Sequence, residues 1–130
     1  MGKLPSPSRY ATVLVVEDEE PLRQAVTKTL RKTGFEVFEA ADGTSAVDLI
    51  RMNQGKIDVI LLDATIPGAS SAEVLAEAAK AQPPIKIILT SAYSQETLAA
   101  PMSAFGVCGF IRKPFQLNDL IETLRAAVMA

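Results

Sequence analysis

Histidine is absent from this 130-residue chain. That excludes a His-ligated zinc site, a Ser-His-Asp triad and any phosphohistidine carried by the chain itself. Cysteine is nearly absent too. Cys108 stands alone, so no internal disulfide forms, and the composition suits a reducing cytoplasm. Charge of one sign is lacking: the net charge of −2 gives no reason to expect nucleic acid or an anionic membrane as partner. Long apolar runs are missing as well. None approaches the ~20 residues of a membrane span, and no signal-peptide pattern appears. The opening Met1-Gly2-Lys3-Leu4-Pro5-Ser6 matches a myristoylation pattern in form. Residues 1–10, with Pro5-Ser6-Pro7-Ser8, read better as a linker or expression remnant. Residues 11–130 are expected to form one domain, since this length is near the commonest single-domain size and 48% hydrophobic content supplies a core.

What the chain does contain is a fivefold alternation of strand and helix signals. Val13–Val16 is a continuous apolar run, the mark of a strand buried on both faces. Pro21 opens a helix where its missing N–H costs little, Leu22, Ala25, Val26, Thr29 and Leu30 follow at helical spacing, and Gly34 closes it. Residues 35–40 form a second strand. Residues 44–53 form a second helix with Ala46, Leu49 and Ile50 inward. Residues 57–62 are the most apolar strand. Ser70-Ser71-Ala72-Glu73 reads as a capping box for a third helix that stops before Pro83-Pro84. A fourth strand spans 85–89, a short fifth spans 109–112, and Leu117, Leu120, Ile121, Leu124 and Val128 stripe the last helix. Such alternation implies an α/β fold with a parallel sheet and right-handed crossovers.

Polar residues cluster at the ends of these strands. Glu17-Asp18 follows the first, Asp63 the third and Thr90-Ser91 the fourth, while Phe110 and Lys113-Pro114 lie in and just past the fifth. In a parallel α/β sheet these ends converge on one edge, where ligands bind. Three carboxylates, a hydroxyl and a lysine gathered there would hold a divalent cation and an anion together. Taken one at a time, each has a plainer reading: Asp63 as a turn cap, Glu17-Asp18-Glu19-Glu20 as an acidic first helical turn, Lys113 as a surface lysine, Thr90 as a strand former and Phe110 as core.

In their order and spacing, Val15-Val16-Glu17-Asp18-Glu19, Leu62-Asp63-Ala64-Thr65-Ile66-Pro67-Gly68, Leu89-Thr90-Ser91-Ala92-Tyr93-Ser94 and Lys113-Pro114-Phe115 resemble the receiver domain of two-component response regulators. They look most like receivers fused to hybrid sensor histidine kinases. The likeness runs from about Thr12 to Val128. It implies a single doubly wound, flavodoxin-like sheet in strand order 2-1-3-4-5 flanked by five helices. It also implies a phosphorelay function, with a sensor histidine kinase or histidine phosphotransfer domain as donor and Mg²⁺ as cofactor. On that likeness Asp63 is the phosphoacceptor. Asp18 ligates Mg²⁺ directly, Glu17 through water, and Asp63 and the backbone carbonyl of Thr65 complete the set. Lys113 pairs with Asp63 and later with a phosphoryl oxygen, and its bond to Pro114 is cis. Thr90 moves toward the phosphoryl group and donates to it, small Ser91 leaves room, Phe110 as the switch aromatic enters the space Thr90 vacates, and the surface of the fourth helix, fifth strand and last helix changes its affinity for a partner. Beyond self-phosphorylation and self-dephosphorylation no enzymatic activity is expected, although a full-length parent could be a histidine kinase.

The sequence departs from the family pattern in three places. Ile66 replaces a frequent Met, Ser70-Ser71 replaces a frequent Gly, and Pro101 falls inside the helix expected between the fourth and fifth strands. Proline in a helix interior costs ~3 kcal/mol. Residues 94–100 are therefore expected to form a loop or one irregular turn after Ser94. A short helix would start near Pro101 and carry Met102 and Phe105 inward, leaving a switch face that dimerises weakly. Two other function classes fit less well. A degenerate receiver would serve only as a protein-binding module. A haloacid-dehalogenase-like phosphatase would need a second Asp two residues after Asp63, where Thr65 stands. No DNA-binding segment follows, so the output is expected in another chain or another part of a parent protein.

Overall fold

A computed structural model of the chain describes residues 11–66, 71–92 and 106–129. Five strands, β1 (Thr12–Val16), β2 (Glu36–Ala40), β3 (Val59–Asp63), β4 (Lys86–Ser91) and β5 (Val107–Arg112), form one sheet in the order β2-β1-β3-β4-β5. All four pairings are parallel. The described residues hold four helices: α1 (Glu20–Thr33), α2 (Gly43–Met52), α3 (Ser71–Lys80) and α4 (Leu117–Met129). The element expected between β4 and β5, with Ser94, Pro101, Met102 and Phe105, lies outside the described residues. So do residues 1–10, Pro67, Gly68 and the Ser70 half of the capping box.

The continuous apolar strands divide their side chains by alternation, as strand geometry requires. Leu14, Val16, Ile60, Leu62, Ile87 and Leu89 face one way, onto Ala46 and Ile50 of α2 and Val74, Leu75 and Ala78 of α3. Val13, Val15, Leu61 and Ile88 face the other, onto Val26 and Leu30 of α1 and Leu120, Ile121 and Leu124 of α4. Thus the 3.6-residue periodicity of the helices and the unbroken strands answer each other, and both sheet faces are covered.

Local signals set the helix limits. Pro21 lies in the first turn of α1. Gly34 ends that helix at φ 119°, a left-handed conformation that side chains resist, and donates to the carbonyls of Leu30 and Arg31. The Asp42 carboxylate accepts from the Ser45 N–H at 2.7 Å and caps α2. β5 is longer than the sequence suggests. Ile87 pairs with Val107 but Ile88 with Gly109, so Cys108 is the extra residue of a bulge, which a glycine within a strand often marks.

At the end of the sheet where the strands begin, a groove is lined by Ala11, Ile57, Asp58, Ile85, Lys86 and Val128. Asp58 accepts there from the Thr12 N–H at 2.9 Å, and the Lys86 ammonium donates to the Ala127 carbonyl at 2.6 Å.

Candidate functional site

The opposite end of the sheet gathers the polar strand-end residues. β3 ends at Asp63, which is 3% exposed and in register with Thr90 of β4. Its two carboxylate oxygens have separate partners. Oδ1 accepts from the Thr65 N–H at 3.0 Å and the Thr65 hydroxyl at 3.1 Å. Oδ2 accepts from the Lys113 ammonium at 3.0 Å. That ammonium lies still closer to the Glu17 carboxylate, at 2.8 Å, and 3.7 Å from Glu19. Glu17, just past β1, is 5% exposed, and its second oxygen accepts from the Glu19 N–H at 3.0 Å. Asp18 is exposed, yet one of its carboxylate oxygens lies within 4.8 Å of oxygens of both Glu17 and Asp63.

The main chain fixes this arrangement from beneath. The Glu17 N–H donates to Ala40 O at 3.0 Å, Ala64 N–H to Thr90 O at 2.9 Å, and Lys113 N–H to Ser91 O at 2.8 Å. Each segment leaving a strand is thereby stitched to the neighbouring strand. The Ser71 hydroxyl donates to the Ala64 carbonyl at 2.7 Å, so α3 begins with a serine tied back to the residue after Asp63. The Lys113–Pro114 peptide is cis, as the family likeness implied.

Charge follows from these contacts. Burial lifts the Glu17 carboxyl above its usual range and the Asp63 charge adds to the lift, against the pull of Lys113 and the Glu19 N–H. For Asp63 burial is again the largest influence and pushes upward. Thr65 and Lys113 together outweigh it, and the carboxyl is held below its usual range. Burial pushes Lys113 down, but the two carboxylates outweigh that and raise it. At the end of β3 these contacts therefore favour the ionised form of Asp63.

Among the described residues Glu17, Asp18 and Asp63 form the group of acidic side chains close enough to share one cation. Every donor is a carboxylate oxygen, the set that suits a hard divalent ion such as Mg²⁺. Thr90 and Ser91 are buried beside the acid. Phe110 pairs with Leu89 and packs on the α2–α3 side of the sheet, whereas Thr90 pairs with Asp63 and Ile111 and points to the other face.

Several participants escaped the sequence reading. Thr65 was expected to contribute only its carbonyl, but its hydroxyl and N–H both hold Asp63; an Asp bonding the residue two positions on is a turn pattern that sequence does signal. Glu19, expected to serve the helix terminus, also approaches Lys113. Arg23 had no signal: its guanidinium donates to the Glu17 carbonyl at 3.0 Å and pairs with Glu39 of β2 at 3.2 Å. The Thr65 contact yields a prediction. Thr65→Val keeps the shape and loses the hydroxyl, so the Asp63 carboxyl should titrate at higher pH and the domain should lose about 1 kcal/mol of stability at neutral pH. A carboxyl-carbon NMR titration without metal checks this, and an unchanged curve would show that the hydroxyl does not hold Asp63.

Comparison with known proteins agrees with this geometry. The family model of the response regulator receiver domain matches residues 13–125. The chain is 35% identical over 118 residues to the sensor kinase CckA of Brucella abortus, covering 91% of this chain and 12% of that protein. It is 32% identical over 117 residues to the sensory transduction protein RegX3 of Mycolicibacterium smegmatis, covering 90% and 50%. The chain thus spans half or less of the length of these relatives. Among solved structures, the receiver domain of the hybrid histidine kinase CckA superposes with a TM-score of 0.77 at 30% identity, covering 91% of this chain and 99% of that one. The response regulator TrrA of Thermotoga maritima, solved in complex with Mg²⁺ and BeF, gives 0.76 at 30% identity, with 90% and 98% covered.

Proposed function

This chain belongs to the response regulator receiver domain family of two-component systems, and we propose that Asp63 is its phosphoacceptor, served by a histidine kinase or a histidine phosphotransfer domain. One observation carries the reading. The carboxylate that the site keeps ionised stands at the end of β3, 3.0 Å from the Lys113 ammonium and within the acidic cluster of Glu17 and Asp18.

In the proposed step an Asp63 carboxylate oxygen attacks phosphorus. The new P–O bond makes an acyl phosphate as the donor's P–N bond breaks, and the imidazole leaves with the electron pair and takes a proton. Glu17, Asp18, Asp63 and the Thr65 carbonyl would hold Mg²⁺, which when bound offsets the negative charge of the acids and of the phosphoryl oxygens. Lys113 would turn from the carboxylates to a phosphoryl oxygen, and Thr90, in register with Asp63 on β4, would donate its hydroxyl to another. Because Lys113 is bonded to Ser91 at the end of β4, its movement would reach β4 and β5. Phe110, on the far face of the sheet from Thr90, would shift with them and change the adjoining surface. The domain limits 11–130 and a cytoplasmic location belong to the same proposal; among the described residues no helix is long and apolar enough to cross a membrane.

Acetyl phosphate with Mg²⁺, read by intact mass, tests the proposal. One phosphoryl group should add, and EDTA should prevent it. Asp18→Asn should weaken Mg²⁺ binding by at least ~10-fold, the factor that ~1.4 kcal/mol carries. A protein that stays unmodified with Mg²⁺ is a binding module instead. Steady release of phosphate from many substrates would mark a phosphatase.

A further inference from the structure

We propose that Arg23 is a positioning residue for the cation site: it holds the main chain of the Glu17-Asp18 turn in the shape that aims both carboxylates at one point. The inference rests on the Mg²⁺ reading above. Arg23 lies in the first turns of α1, and its side chain is 15% exposed. It grips the acidic turn in two ways. Its own N–H donates to the Glu19 carbonyl at 2.9 Å, and its guanidinium donates to the Glu17 carbonyl at 3.0 Å. The segment from Glu17 to Glu19 is thereby spanned from both ends. Glu39 completes the device, because its carboxylate accepts from Arg23 Nε at 3.2 Å, and it sits on β2 in register with Val15. The guanidinium is therefore anchored to the sheet and not merely lying along it, and its planar fork suits two acceptors in fixed directions. The Glu17 N–H is already tied to Ala40 O on the same strand. Both polar groups of the Glu17 main chain are thus referenced to β2 or to a side chain fixed there.

A merely electrostatic role makes the opposite prediction. Arg23 is a cation near a cation site, so its removal would tighten Mg²⁺ binding if charge alone mattered. Glu39 offsets that charge only in part, since Arg31 lies 3.9 Å from its other oxygen, and the bond from Arg23 to the Glu17 carbonyl is a matter of geometry. Groups that orient metal ligands typically contribute 10–100-fold to affinity. Arg23→Ala should therefore weaken binding of Mg²⁺ by roughly tenfold, the low end of that range. Glu39→Gln should weaken it in the same direction, since it frees the guanidinium and leaves its charge uncompensated.

The experiment is direct calorimetric titration of the whole chain with MgCl₂, without phosphodonor, on wild type, Arg23→Ala, Glu39→Gln, Asp18→Asn and Arg51→Ala. Arg51 pairs with Glu77 between α2 and α3, away from the site, and serves as the control. Hydrogen exchange at the Glu17–Glu19 amides should rise in Arg23→Ala and stay at the wild-type level in Arg51→Ala. Should Arg23→Ala fail to fold, Arg23→Lys decides, since it keeps the charge and loses the planar fork that serves the Glu17 carbonyl and Glu39 together; Mg²⁺ binding there at wild-type strength would overturn the role of Arg23. Equal binding by wild type and Asp18→Asn would overturn the cation reading itself. A weak Asp18→Asn beside an Arg23→Ala that binds as tightly as wild type, or more tightly, would leave that reading intact and overturn the role of Arg23.

Discussion

Asp63→Asn is expected to reduce phosphorylation to background while leaving the domain folded. Asparagine keeps the size of the side chain and an oxygen that accepts from the Thr65 N–H and hydroxyl, so the turn after β3 survives. What disappears is the nucleophile, because an amide neither carries the charge nor offers a free electron pair of comparable reactivity. Lys113 keeps Glu17 at 2.8 Å and has no reason to leave the site. The same variant has a signature in stability. The Asp63 carboxyl is held below its usual range, so its contribution is present above the ordinary carboxylate range and is lost as pH falls through its folded value. The stability difference between wild type and variant should be largest near neutral pH and shrink on acidification. Intact mass after acetyl phosphate with Mg²⁺ reads the first effect, and urea unfolding against pH reads the second. Labelling of Asp63→Asn at the wild-type rate would remove the assignment.

Lys113→Ala is expected to give the second large effect, and it separates folding from signalling. The lysine is the shared cation of two buried acids, so its removal leaves Glu17 and Asp63 facing each other. Breaking a buried pair costs 3–5 kcal/mol; with 17% of the lysine side chain exposed, about 3 kcal/mol is expected here. Without Lys113 both acids titrate higher than in the unfolded chain, so the variant is worst at neutral pH and recovers as pH falls and the acids protonate. Millimolar Mg²⁺ should restore much of the loss at neutral pH, since a cation that binds only the folded state stabilises it. Phosphorylation should continue at a reduced rate. In wild type, beryllofluoride with Mg²⁺ should shift amide resonances along β4 and β5; in Lys113→Ala those shifts should vanish. A variant that shows the full pattern of shifts despite weakened folding would make Lys113 a structural residue only.

The architecture and much of the site were legible because their signals are local and redundant. The apolar strand 13–16, Pro21 and Gly34 each describe one element without reference to the rest of the chain. The carboxyl-end rule for parallel sheets then brings Glu17, Asp18, Asp63, Thr90 and Lys113 together without coordinates. The missing parts depend on contacts distant in sequence or on an exact backbone path. Lys113 bonding Glu17 more closely than Asp63 is decided by a few tenths of an ångström. Arg23 reaching the Glu17 carbonyl depends on how α1 leaves β1, and the length of β5 depends on a bulge opposite Ile87 and Ile88. Ser71 carried no signal of its own inside the capping box read from Ser70 to Glu73; in the fold its hydroxyl anchors the start of α3 to Ala64.

The groove at the other end of the sheet carries a consequence of its own. Ala11, just before β1, and Val128, in the last turn of α4, both line it, and Asp58 and Lys86 fasten the adjoining ends of β1 and α4 there. A strand of five residues spans roughly 17 Å, so a full strand length separates this groove from Asp63. The first residues of β1 and the last turn of α4 therefore lie away from the strand ends that carry the proposed phosphoacceptor. The domain has, in effect, a plug end and a working end, and the direction of its strands keeps the two apart.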